Sequence, residues 1–177
     1  MNRTISLIFT STWLLFFASG SIGIHANPQS LEKVFDEIGY KPVGEALEDA
    51  ERHFRQKLKL PIQVPPISFT HHFGRFNDLE DNINDSFEAV WINEASPGHH
   101  YKIDIRPLVH KIPFSDKRIV KKFTLQDDGE ALYIEIAGFY ALVFEKEGWQ
   151  YVLSIDKRVA DKVPPDVLVD LADSIEY

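Results

Sequence analysis

Between Ile67 and Ile155 the hydrophobic pattern of this chain repeats every two residues, which is the signature of strands with one buried face. Phe87, Ala89 and Trp91 alternate with Glu88, Val90 and Ile92. Tyr101, Ile103 and Ile105 alternate with Lys102, Asp104 and Arg106. Ser96-Pro97-Gly98 lies between these two runs, so they are expected to form a hairpin with a long loop. Ile67–Thr70 is expected to start an earlier strand, and further strands are predicted over residues 119–125, 132–136, 140–144 and 149–155. The later connections are short and carry turn chemistry at Asp127-Asp128-Gly129, Gly138 and Glu147-Gly148. Connections this short leave no room for crossover helices, so the strands must run antiparallel as a meander.

A sheet that buries one face needs a cover, and the flanking sequence supplies it. Leu31, Val34, Phe35 and Ile38 share one helical face, with Ser30 as N-cap and Gly39 as stop. Leu47, Ala50, Phe54 and Leu58 mark a second helix, ended by Pro61, Pro65 and Pro66. After Pro164-Pro165, the residues Val167, Leu168, Leu171, Ala172 and Ile175 mark a third. Helices, then strands, then a helix is an α+β order: a curved antiparallel sheet of about six or seven strands, with N-terminal helices and a C-terminal helix packed on it.

The front of the chain reads as an address. Arg3 is followed by Ile5–Ile24 without an ionisable side chain, then by Ile24-His25-Ala26, which together form a charged start, an apolar stretch and a cleavable end. Residues 1–26 are therefore expected to be a signal peptide and residues 27–177 a single domain. The competing reading is an uncleaved membrane anchor, diluted by Ser6, Thr10, Ser11, Ser19 and Gly20. Loss of Arg3 with this segment takes the 19 basic side chains to 18 against 27 acidic, and the net charge from −8 to −9. That charge disfavours nucleic acid as a partner, since phosphate binding needs Lys and Arg in excess. The chain has no cysteine, so thiol catalysis, Cys-zinc sites and a lipid anchor on cysteine are excluded, and an exported domain must hold together by packing alone.

The C-terminal third carries a resemblance. Ile134-Glu135-Ile136-Ala137-Gly138 precedes Ala141–Phe144, then Trp149-Gln150-Tyr151-Val152-Leu153, then Leu168–Ile175. Further forward, Leu47–Ala50 leads into Leu60-Pro61-Ile62-Gln63-Val64-Pro65. Over roughly residues 45–177 this order resembles a family of extracytoplasmic bacterial domains of unknown function. Its members occur in secreted proteins, lipoproteins and the outer parts of sigma-factor regulators of Gram-positive bacteria. The lipobox cysteine of the lipoprotein members is missing here. The resemblance implies a β-rich module for sensing or binding outside the cell, and it supplies no catalytic residue.

Candidate chemistry is of four kinds. His71-His72, His99-His100 and His110 offer imidazoles, and since adjacent strand residues face opposite ways, one of each pair can ligate: His71, His99 and His110 are the candidate metal set, against solvated loop histidines. Asn77–Asp85 is rich in oxygen donors suited to calcium, but Ile83 and Ala89 stand where an EF-hand needs Gly and Glu, so a solvated acidic loop is the simpler reading. Asp104 and Glu135 lie in predicted strands on solvent faces, and no elbow, phosphate loop or dinucleotide fingerprint accompanies them. Aromatics crowd the strands, and a surplus beyond the core would wall a groove; Phe139 and Tyr140 beside Gly138, with Trp91 and Tyr101, are the candidate binding residues. The expected function is an exported, non-enzymatic binding or sensing module at the bacterial cell envelope. Its expected partner is a protein or an apolar small molecule, with no cofactor, and with membrane contact only if residues 1–26 stay attached. The alternative is a metal-dependent or carboxylate hydrolase acting on an extracellular substrate.

Overall fold

The structure, a computed structural model, describes residues 30–78 and 84–176, so the expected signal segment and most of the acidic 77–85 stretch lie outside the described residues. The described chain forms α1 (Leu31–Glu37), α2 (Val43–Phe54), strands β1 (His71–Asn77), β2 (Ser86–Ile92), β3 (His100–Pro107), β4 (Ile119–Thr124), β5 (Glu130–Ile136), β6 (Phe139–Lys146) and β7 (Trp149–Asp156), and α3 (Pro165–Asp173). The class is α+β, with an open, curved antiparallel sheet and helices at both ends of the chain. No helix among the described residues is long and apolar enough to cross a membrane.

The helices begin and end where side-chain chemistry says they should. Ser30 Oγ accepts from the Lys33 backbone N–H and caps α1. Gly39 then adopts φ +87°, a left-handed value that turns the chain back toward the sheet at little steric cost. Pro42 precedes α2, which starts four residues before the apolar spacing at Leu47 announces it; Ala46 and Ala50 are its buried face. Pro165 opens α3, where its missing N–H costs nothing, and Leu168, Leu171 and Ala172 dock inward.

The strands pair in the order β1-β2-β3-β7-β6-β5-β4. Two meanders, β1–β3 and β4–β7, are therefore joined side by side through β3 and β7, which run antiparallel from Tyr101 opposite Ile155 to Pro107 opposite Trp149. The expected strand at Ile67–Thr70 starts later, at His71. Pro65 and Pro66 hold the preceding segment off the ladder, and pairing begins where the Thr70 N–H donates to Ile92.

Alternation sorts the sheet into two faces. Toward α2 and α3 point Phe87, Ala89, Tyr101, Ile103, Leu153 and Ile155, the centre of the main core. The other face carries a smaller apolar cluster, Ile134, Ala141, Val143 and Val152, with Phe114 packed against it. Residues 108–118 cross this second face as a strap, because β3 ends in the middle of the sheet and β4 begins at its far edge.

Gly74 explains how α2 lies so close to β1. A Cβ there would sit 2.9 Å from both Ala46 Cβ and Val43 Cα, and Lys41 and Gly74 exchange backbone hydrogen bonds of 2.9 and 2.8 Å. Gly74→Ala is expected to cost about 1–3 kcal/mol by overpacking. Urea unfolding should show a lower midpoint with an unchanged slope.

Candidate functional site

The face without α2 and α3 is where the charged residues of adjacent strands meet. In β3, Ile103 and Ile105 point into the core, so Lys102, Asp104 and Arg106 must point away from it. In β2 the same parity puts Glu88 opposite Asp104, and in β1 it puts Arg75 opposite Glu88. Glu88 is 3% exposed and Arg106 8%. Buried charge at this depth survives only when paired.

The pairing is dense. Glu88 accepts from the Tyr40 hydroxyl and from Arg75 Nη2 at 2.6 Å on one oxygen, and from Lys102 Nζ at 2.5 Å on the other. Arg106 donates through Nε and Nη2 to one Asp104 oxygen, at 3.0 and 2.7 Å. The Arg75 guanidinium also lies 4.6 Å over the Tyr40 ring. Tyr40 reaches the site because the Gly39 turn returns the chain from α1, which itself sits on this face through Phe35 stacked on Phe73 at 4.4 Å. Burial acts to raise the Glu88 carboxyl; Lys102, Tyr40 and Arg75 overcome it and hold the group below its usual range. Burial and the neighbouring Glu88 charge push the Tyr40 hydroxyl up, so it stays a donor. His100 is shifted down, first by burial and then by Lys102.

The strap forms the opposite wall. Gln150, 4% exposed, accepts from the Ile112 N–H at 2.8 Å and donates to the Ile112 carbonyl at 3.0 Å. One buried amide side chain thus imitates a strand partner and fixes the strap above β7. Lys111 pairs with Glu145 at 3.0 Å on the rim. Beneath the strap run two adjoining cavities that share Asp104 and Ile112. One, of about 660 Å³, is lined by Arg75, Glu88, Arg106 and His110. The other, of about 260 Å³, is lined by Phe114, Ile136, Phe139 and Val152, with His100 and Lys102 at its border. The result is one groove with a charged end and an apolar end.

Of the expected binding aromatics, Phe139 lies in this groove, edge-on to His100 at 5.5 Å. Tyr140, its neighbour in β6, faces the other way and stacks on Tyr133 at 5.3 Å. Tyr101 is 0% exposed in the main core and half-buried Trp91 packs on it at 5.3 Å, so these two are packing residues rather than a ligand wall. Asp104 and Glu135 lie on opposite faces of the sheet: Asp104 opposes Val152 on the groove side, whereas Glu135 opposes Tyr140 and pairs with Lys157 at 2.5 Å.

The histidines disperse. His71 bonds Glu32 at 2.9 Å, and His99 donates from Nδ1 to the Ser68 carbonyl at 3.0 Å. His110 lies beyond the opposite end of β3, a strand of eight residues, about 26 Å at 3.3 Å per residue. His71, His99 and His110 therefore do not share an ion. Among the described residues, the His, Asp and Glu side chains that do converge are His53, Asp78 and Asp85, with ligand atoms all within 4.8 Å of one another. Sequence reading missed His53, and also the groove charges Arg75, Glu88, Lys102 and Arg106. Alternation marks them as outward-facing, but only strand order shows that they share one place.

No family model, no curated protein and no solved structure matches this chain.

Glu88→Gln leaves Lys102 and Arg75 without their anion and is expected to cost about 3–5 kcal/mol. Because the folded carboxyl titrates below its ordinary value of 4.5, the stability it adds is complete above that pH and is lost as pH falls through the folded value. Chemical unfolding from pH 7 to pH 3 should show the gap between wild type and variant closing on the acid side.

Proposed function

We propose that this chain is an exported, non-enzymatic binding module whose groove holds an amphiphile with an anionic head and an apolar tail. The observation that carries this reading is the continuity of the charged cavity with the apolar one beneath the strap. Arg75, Lys102 and Arg106 face two carboxylates, Glu88 and Asp104, leaving one positive charge in surplus within a chain of net charge −8. An acidic protein with a locally cationic, half-apolar groove selects against cations, which its surplus charge repels, and a purely apolar ligand would leave the buried Arg75 Nε without an acceptor.

The non-enzymatic part rests on the same contacts. Glu88 is committed to three donors and held ionised, so it has no proton to give as a general acid. Asp104 is tied to Arg106, and Glu135 stands on the far face. Export rests on the character of residues 1–26, and a cell-envelope setting rests on the resemblance of residues 45–177 to extracytoplasmic bacterial domains.

Two measurements test this reading. Titration calorimetry with saturated straight-chain carboxylates of increasing length should give saturable one-to-one binding, and the methyl ester of the best ligand should bind at least about tenfold more weakly, a difference of 1.4 kcal/mol. Phe139→Ser should weaken binding while leaving the fold intact. Equal binding of acid and ester, or no saturable binding across the series, refutes the proposal. Intact mass of the protein recovered from its host's exported fraction should correspond to a chain starting at Asn27.

A further inference from the structure

We infer a divalent metal site at the mouth of the β1–β2 hairpin, built from His53, Asp78 and Asp85. It is separate from the groove and needs none of its residues. The three side chains come from three elements: His53 from the last turn of α2, Asp78 from the residue after β1, and Asp85 from the residue before β2. Their ligand atoms all lie within 4.8 Å of one another, and His53 Nε2 stands 2.8 Å from Asp85 Oδ2.

Three features favour a cation here. Asp85 is a 1% exposed carboxylate, an expensive group to bury, and Asp78 brings a second negative charge to the same point. Both lie beside the C-terminal turn of a 12-residue helix, whose end carries roughly half a negative charge of its own. A divalent ion between the two carboxylates offsets both of their charges. The donor set is one imidazole nitrogen and two carboxylate oxygens, which suits a borderline first-row ion better than calcium or magnesium. Geometry narrows the class further. An ion about 2.1 Å from both His53 Nε2 and Asp85 Oδ2 would see them at roughly 84°, near the octahedral right angle. The exposed Asp78 closes the triad by a side-chain rotation, and solvent completes the shell. The site is thus of the kind that takes manganese(II), or zinc(II) in an expanded coordination.

The rival description is a plain His53–Asp85 ion pair with Asp78 nearby, and the experiment separates the two. The full chain is stripped with chelator and titrated with Mn²⁺ and, separately, with Zn²⁺. One-to-one saturable binding is expected. At metal a hundredfold above Kd, the folded-to-unfolded ratio should rise about 100-fold, read as a higher melting temperature. Asp78→Asn removes an exposed ligand, so the metal-free melt should be unchanged while affinity falls at least about tenfold. In wild-type protein, Mn²⁺ should broaden the His53 imidazole resonances selectively, a readout that needs no variant to fold. No binding at millimolar metal, undiminished affinity in Asp78→Asn, or broadening centred on other histidines overturns the site.

Discussion

The pairing of β3 with β7 is the constraint from which the rest of this structure follows. It joins two meanders that would otherwise be separate small sheets, each with too little apolar surface to stand alone. β7 is buried along nearly its whole length, and β3 sends Tyr101, Ile103 and Ile105 into the same core. Once β3 and β7 are neighbours, β4 must start at the far edge, and the chain has to travel there over the one face that helices α2 and α3 do not occupy. The strap is the consequence, and the groove is the space left between the strap and the sheet. Gln150 fixes the height of that space by bonding both polar groups of Ile112.

The charge network on the open face performs a different task. A buried ion network adds little net stability, because desolvation offsets most of the attraction. It does discriminate between arrangements. Glu88 is satisfied only when β1, β2 and β3 are in register and the Tyr40 turn lies over them, since its partners come from all of these. A one-residue slip would drive Phe87 or Ala89 into the polar face and Glu88 into the core. The network therefore fixes α1, an element with no buried residue of its own, in one position.

Periodicity made most of the elements legible. β3 was readable because Tyr101, Ile103 and Ile105 alternate with Lys102, Asp104 and Arg106, β6 and β7 because short apolar runs lie between turn residues, and α3 because its spacing of three and four survives intact. β1 was not readable: Gly74 breaks its alternation, and its His, Arg and Asn residues look like loop chemistry, since an edge strand bonded on one side needs few apolar residues. Strand order left no local trace either, because β3 meets β7 across more than forty residues of intervening chain. The candidate site suffered from the same gap. Counting aromatics led to Trp91 and Tyr101, which the main core absorbs. Parity alone would have separated Phe139 from Tyr140, since Tyr140 shares its face with Leu142 and Phe144. The groove charges were visible one at a time, but their convergence depends on tertiary pairing.

The same alternation connects the groove to the hairpin mouth. Asn77 and Ser86 pair at the end of β1 and β2 and line the charged cavity, while Asp78 and Asp85 are the next residues outward and turn toward His53 of α2. An ion held by that triad would tie the end of the hairpin to the helix beneath it. It would restrict the motion of Asn77 and Ser86, and so shape the charged end of the groove from behind. Coupling of this kind is reciprocal: whatever a metal does to amphiphile affinity, the amphiphile must do to metal affinity by the same factor.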